Sequence, residues 1–182
     1  CRPLHEMFKA HAAAAGRRLE EVFGATGYMV SPLRLSRSEC EQLEYFAGHG
    51  LRMGIGHMPS QGGSAPVTFA GTVTLALAEQ IFLYLLQKAL WGDGVEFELG
   101  ASLAVMDMRR GIPCYGRPEQ VRVHLAFAEL GEFYGCRCWG NGGLSDAKMP
   151  SAEAGAQKAV GALMSALAVG HGSVSAGLLS MG

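Results

Sequence analysis

Short apolar runs alternate with long stretches of helical period along this chain, the order expected of βα units around a parallel sheet. Gly27-Tyr28-Met29-Val30-Ser31-Pro32 reads as a strand, and a helix follows at about Ser36 to Gly48. Ser36 is its expected N-cap, with Glu39 as capping-box partner. Leu51-Arg52-Met53-Gly54-Ile55-Gly56 is the next strand, leading into the loop Pro59-Ser60-Gln61-Gly62-Gly63-Ser64-Ala65. Pro66 is placed to open a long helix to about Trp91. Val95 to Leu99 makes a third strand, Pro118 starts a helix to about Tyr134, and Cys136 to Gly140 makes a fourth strand. Pro150 is expected to open an alanine-rich helix ending near Gly170, with a fifth strand beginning at His171. Ahead of Gly27 the chain is partly helical, over Glu6 to Ala15 and Arg18 to Phe23.

Four to five consecutive βα units predict an α/β fold, about half of an eight-fold TIM barrel. An open doubly wound sheet is the alternative. Residues 1–182 read as a single segment of one barrel domain, with no linker, low-complexity tract or sequence repeat.

Composition narrows the function classes. With 49% hydrophobic and 17% charged residues the chain can bury a large core and does not suit disorder. Fifteen basic and 16 acidic residues leave a net charge of −1, without the basic stripe that nucleic acid demands. The most apolar stretch, Val73 to Leu90, is interrupted by Glu79, Gln80, Gln87 and Lys88. It reads as a buried helix with one wetter face and not as a membrane span. The opening Cys1-Arg2-Pro3-Leu4-His5-Glu6 carries neither Met nor a secretory core, and Leu178 to Gly182 gives no natural finish, so the chain is expected to be cut at both ends from a longer protein. Five cysteines at irregular spacing fit neither a disulfide framework nor a CxxC zinc pair. Cys136 and Cys138 fit small core residues in a reducing cytoplasm, with metal ligation the alternative.

Three loops after strand C-termini are rich in glycine and polar residues. They are Gln61-Gly62-Gly63-Ser64-Ala65-Pro66-Val67-Thr68 with Ala70-Gly71-Thr72; Val105-Met106-Asp107-Met108-Arg109 continuing to Gly116-Arg117-Pro118-Glu119; and Gly142-Gly143-Leu144-Ser145-Asp146-Ala147-Lys148. In this order and spacing they resemble the signature stretches of the trimethylamine methyltransferase family. Ser31-Pro32-Leu33, Ala78-Glu79, Tyr134-Gly135 and Ala154-Gly155-Ala156-Gln157-Lys158 agree, so that the resemblance covers residues 28 to 172. Arg110, Cys114 and the stretch from Ser173 to Gly182 depart from the pattern.

The resemblance implies a cytoplasmic barrel enzyme, a homo-oligomer, that passes a methyl group from a small methylated amine to Co(I) of a separate corrinoid protein. Members with pyrrolysine use trimethylamine; those without it use quaternary amines such as glycine betaine. No pyrrolysine occurs in this window, which favours a quaternary amine over trimethylamine proper. No DxHxxG segment occurs either, so this chain is expected to bind no cofactor itself, the corrinoid arriving on its partner. P-loop, GxGxxG and HExxH patterns are also missing.

Such chemistry asks for positioning more than for acid–base groups. A quaternary nitrogen is held by aromatic faces helped by carboxylates, and a substrate carboxylate by a cation or backbone N–H groups. Asp107 and Asp146 follow strands and are the candidate catalytic residues, an N-cap or turn role being the alternative for each. Lys148 suits a carboxylate or, equally, a salt bridge beside the Pro150 helix; Arg109 suits a carboxylate too, with surface pairing the stronger reading. Gln61 and Ser64 precede a helix N-terminus, a place for an anion or docked partner, although the glycines beside them can serve the turn alone. His57 ends the second strand, where a site histidine or a structural one would stand. Tyr115 and Trp139 are the aromatic candidates, with core packing the alternative. Two competing functions remain: a Schiff-base lyase or aldolase using Lys148, and a non-catalytic barrel fragment.

Overall fold

The computed structural model describes residues 1–101 and 103–169. The fifth strand expected from His171 lies outside these residues. Two N-terminal helices, α1 (Arg2–Ala15) and α2 (Leu19–Val22), precede β1 (Thr26–Tyr28), α3 (Arg37–Ala47), β2 (Gly54–Gly56) and β3 (Ser60–Gln61). Next come α4 (Phe69–Trp91), β4 (Glu98–Ala101), β5 (Ala104–Asp107), β6 (Ile112–Cys114), α5 (Pro118–Tyr134), β7 (Arg137–Gly140) and α6 (Ala152–Val169).

Capping chemistry fixes the helix ends. Ser36 accepts from the Glu39 N–H at the start of α3. Pro118 opens α5, and Gly135, at φ 64°, closes it in the left-handed region that favours glycine. Two expected starts move inward. Thr68 caps α4 and Ser151 bonds the Ala154 N–H at α6, so Pro66 and Pro150 precede their helices instead of opening them. A hydroxyl that can accept from the first helical turn outweighs proline's fixed φ.

β1 runs parallel to β2 and β4 parallel to β7, with Thr26 opposite Gly54, Tyr28 opposite Gly56, Glu98 opposite Arg137 and Gly100 opposite Trp139. Among the described residues no ladder joins β2 to β4. The two strand pairs are joined further along, where β3 pairs parallel with β5 and the Ala104 N–H bonds the Pro59 carbonyl at 3.2 Å. The fold is therefore mixed α/β with small parallel and mixed sheets, and the described residues form no closed barrel.

The stretch after Val105 is not the open loop expected from its glycine and polar content. β5 and β6 form an antiparallel hairpin, with Asp107 opposite Ile112 and Gly111 at φ 68° in the turn. Pro113 lies in the second strand. Its missing N–H is tolerated because β6 is an edge strand.

Alternate strand residues separate two faces. Leu99 and Cys138 pack with Ala76, Val123 and Phe127 on the side of α4 and α5. A second cluster holds Leu43, Phe46, Leu51 and Met53, with Ile55 against it. Phe46 and Phe127 are fully buried, each contributing roughly 1.5–3 kcal/mol of burial. The opposite face carries Tyr28, Gly54, Gly56, Gly100 and Trp139, and there the aromatic rings are left partly open.

Helix α4 reverses the expected wetter face. Glu79 is completely buried, whereas Ile81, Phe82 and Leu85 are exposed. The helix is long and apolar enough to cross a membrane by length and composition. Here its stripe Thr72, Ala76, Glu79 and Leu83 is buried within the α/β layers. A carboxylate can face inward because three donors meet it, as the site geometry shows.

Candidate functional site

The loops after the strand C-termini are fastened to one another. Asp146 accepts from the N–H groups of Tyr115 (2.7 Å) and Gly116 (3.0 Å), and its own N–H donates to Gln157 Oε1 at 2.8 Å. Gln157 Oε1 also receives the Ser145 hydroxyl. Asp107 Oδ1 accepts from the N–H groups of Arg109 and Arg110, and Oδ2 meets Arg117 at 3.0 Å. Partial burial works against the Asp107 charge, but these N–H groups and the flanking arginines outweigh it and hold the carboxyl below its ordinary range. Both carboxylates are thus committed to the backbone of the rim.

The other candidates divide. Gln61 donates to the Val67 carbonyl at 2.8 Å, and Ser64 accepts from the Ser60 N–H at 3.0 Å, so both close their own loop. Gln61 also pairs with Val105, bringing this loop beside the hairpin that carries Asp107. Arg109 is exposed and meets Asp107 through its backbone. Lys148 is exposed beside Pro150 and Ser151 on a shallow groove, whereas a Schiff-base amine needs a desolvated setting. Tyr115 is buried, and its hydroxyl donates towards the Met58 thioether at 3.7 Å. Burial, then the Asp146 charge, pushes its phenol above the ordinary value.

His57 follows the strand parity of Ile55 and turns into the helix layer. Its Nδ1 lies 3.0 Å from Glu79 Oε2, and both side chains are buried. Glu79 also accepts from the Ser31 hydroxyl and the Leu33 N–H, each at 2.9 Å. Burial opposes the Glu79 charge, yet the bonds from His57, Leu33 and Ser31 hold its carboxyl below the usual range. This cluster pins the turn after β1 to β2 and α4. In the sequence Glu79 stands out as an interruption of an apolar run and as part of the Ala78-Glu79 match to the family, but not as the hub of this cluster, since its partners lie 22 to 48 residues away.

Trp139 stands elsewhere, on the open strand face. A Cβ on Gly100 would overlap its indole, and one on Gly56 would come within 3.0 Å of the Tyr28 ring. Glycines on β2 and β4 thus let two aromatic rings lie against the sheet. Both rings border one cavity of about 280 Å³, together with Glu96 and Glu98. Glu98 is paired with Arg137 at 3.1 Å, two positions from Trp139 on the same face. Aromatic faces beside carboxylates suit a cationic ammonium. Tyr28, Glu98 and Arg137 escaped the sequence search. The available signal was period two: Thr26 and Tyr28 opposite Gly54 and Gly56, Glu98 and Gly100 opposite Arg137 and Trp139.

Cys136 and Cys138 pack on the helix side of β7. Burial raises both thiols, Cys138 to about 11, which suits packing more than nucleophilic chemistry. Among the described residues no three His, Cys, Asp or Glu side chains gather as a metal site.

Comparison with known proteins bears on the whole chain. Residues 6–182 match the family model described as trimethylamine methyltransferase (MTTB). The trimethylamine methyltransferase MttB of Methanosarcina thermophila is 33% identical over 165 residues, 91% of this chain and 34% of that relative. MttB of Desulfitobacterium hafniense is 27% identical over 100% of this chain and 37% of its own length. The glycine betaine methyltransferase of the same species is 31% identical over 126 residues, 69% of this chain and 26% of the relative. The chain spans about a third of the length of the first of these relatives. It belongs to the trimethylamine methyltransferase (MTTB) family.

Proposed function

We propose that the protein containing this chain moves one methyl group from a small methylated amine, glycine betaine before trimethylamine, to a corrinoid carried by a separate protein. The chain forms an arc of a (β/α)8 barrel: β1, β2, β4 and β7 as consecutive parallel staves, with the open face turned to the lumen. The observation that carries this is the aromatic and acidic lining of that face, Tyr28 and Trp139 beside Glu96 and Glu98. The three family relatives named above, two for trimethylamine and one for glycine betaine, support the substrate class.

The corrinoid would supply the cobalt nucleophile that accepts the methyl group. The chain's own residues hold and aim the amine. Tyr28 and Trp139 receive the methylated nitrogen on their faces, and the carboxylates add negative potential. The absence of pyrrolysine from this chain is what favours a betaine. The amine leaves neutral, so no side chain need give or take a proton, which agrees with a rim whose aspartates are already bonded to backbone. Positioning in a site that excludes water supplies the rate. Homo-oligomeric assembly and a cytoplasmic setting complete the proposal.

The test is methyl transfer by the full-length protein to cob(I)alamin or its corrinoid protein, followed by absorbance. Trp139→Ala should raise the KM for glycine betaine about fivefold or more, matching about 1 kcal/mol for a lost aromatic face, while Trp139→Phe should retain most of the affinity. Failure of the wild type to demethylate any betaine or methylamine overturns the function. An unchanged KM in Trp139→Ala overturns the site.

A further inference from the structure

On the helix side of β7, between α5, α6 and residues 141–144, lies a second cavity of about 210 Å³. Its walls are mostly carbon, from Val121, Leu144, Ala156 and Val160. Its polar end is His124 and Gln120, one turn apart on α5. His124 is 1% exposed, and neither ring nitrogen has a hydrogen-bond partner among the described residues. Gln120 is 3% exposed; its amide N–H group donates to the Leu103 carbonyl at 2.6 Å, and its Oε1 is left unpartnered. Ser165 Oγ on α6 is likewise buried without a partner, and it stands with His124 around Gly140, where a Cβ would meet both.

Unpaired polar atoms in an interior cost about 1–3 kcal/mol each, and folded proteins keep few of them. Here several gather at one end of an apolar cavity larger than the ~150 Å³ that accepts a benzene ring. A few convergent polar groups on hydrophobic walls are the form of a small-molecule site. We propose that this cavity binds a small uncharged molecule with a ring-sized apolar body and one hydroxyl or amide head, the head exchanging hydrogen bonds with His124 and Gln120. Charge is disfavoured at that end, since burial alone lowers His124 to about 4 and leaves the imidazole neutral at physiological pH. A neutral ring offers one donor and one acceptor, and Gln120 Oε1 a second acceptor, which together match a hydroxyl. Arg117 at the mouth is already bonded to Asp107, so a carboxylate finds no free cation there. The site is on the opposite side of β7 from the Tyr28 and Trp139 rings and does not depend on the methyl-transfer proposal.

Phenol and toluene, alike in size but differing in the hydroxyl, are suitable probes in calorimetric titrations of the full-length protein. Phenol should bind saturably at one site with a Kd of about 1 mM or tighter. Toluene should bind about fivefold more weakly, the worth of one good hydrogen bond. Val160 is half exposed at the cavity lip, so Val160→Phe and Val160→Trp fill the space from the surface and should abolish binding. His124→Phe should erase the preference for phenol over toluene. The proposal is overturned if wild type shows no saturable binding, if both Val160 variants bind as wild type does, or if phenol and toluene bind equally.

Discussion

Replacing Glu79 with leucine removes a buried acceptor on which three segments converge. In the wild type Oε1 takes the Leu33 N–H, and Oε2 takes the Ser31 hydroxyl and the His57 ring, all within 2.9–3.0 Å. With the carboxylate ionised, His57 must donate from Nδ1. Leucine leaves the buried His57 ring without its partner, at about 1–3 kcal/mol, and takes the acceptor from the Leu33 amide, which lies on an exposed residue and loses less. Ser31 is only partly buried and can turn towards water. Leu33, at φ 52°, also loses the bond that holds a non-glycine residue in the left-handed region. The expected loss is about 3 kcal/mol, at the lower end for breaking one side of a buried pair and still a large share of ordinary domain stability. Urea unfolding followed by tryptophan fluorescence reads this directly. Adding His57→Phe should recover part of it, because two apolar groups then meet where one orphan stood. The low Glu79 pKa also sets a sign. A carboxyl held below its unfolded value stabilises above that value and loses the contribution as pH falls through the folded one. The gap between wild type and Glu79→Gln should therefore be flat near neutrality and close only on the acid side of the ordinary glutamate range. A loss under 1 kcal/mol for Glu79→Leu, or no recovery in the double variant, would refute this account of the cluster.

Gly100→Val should displace the Trp139 indole from the open face, since a Cβ there overlaps the ring; the KM for glycine betaine should rise about fivefold or more, and an unchanged KM would separate the ring from the substrate. Asp146→Ala strips two backbone N–H groups of a charged acceptor and should cost about 3 kcal/mol in urea unfolding, with faster amide exchange at Tyr115 and Gly116. Loss of turnover with stability intact would instead place Asp146 in the chemistry. His124 is neutral in the fold at about pH 4 and above, while the unfolded ring takes its proton near 6.5. Stability should then fall by about 3 kcal/mol as pH drops from 6.5 to 4, at about 1.4 kcal/mol per tenfold change in proton affinity, and His124→Phe should flatten that slope.

Helices were legible because their signals are local. A cap such as Ser36 with Glu39, the Pro118 start and the Gly135 stop are read within a few residues, and α3 and α5 form where those marks predict. Parallel strands were legible as short apolar runs, although only three or four residues of each join a ladder. The β5–β6 hairpin was not, because the stretch around Asp107 has the glycine and polar content of a loop. Site residues were harder still. His57 stands at a strand end, but the parity of β2 decides which way it faces, and its partner is a helix away. Trp139 was found as an aromatic at a strand end; Tyr28, Glu98 and Arg137 needed the register between strands, which no single segment contains.

The joint formed by Gly116, Asp146 and Gln157 has an evolutionary consequence. Asp146 grips the backbone of residues 115 and 116, so the Tyr115 side chain is free to change without releasing the rim. Gly116 is not, since any Cβ would strike the Gln157 amide. Gln157 in turn holds Asp146 through its N–H and Ser145 through its hydroxyl. Three sequence blocks, 30 and 11 residues apart, are therefore one mechanical part. Mutational drift should move them together: a lineage that replaces the glutamine must find another acceptor for the Asp146 amide, and only then is the glycine released to vary.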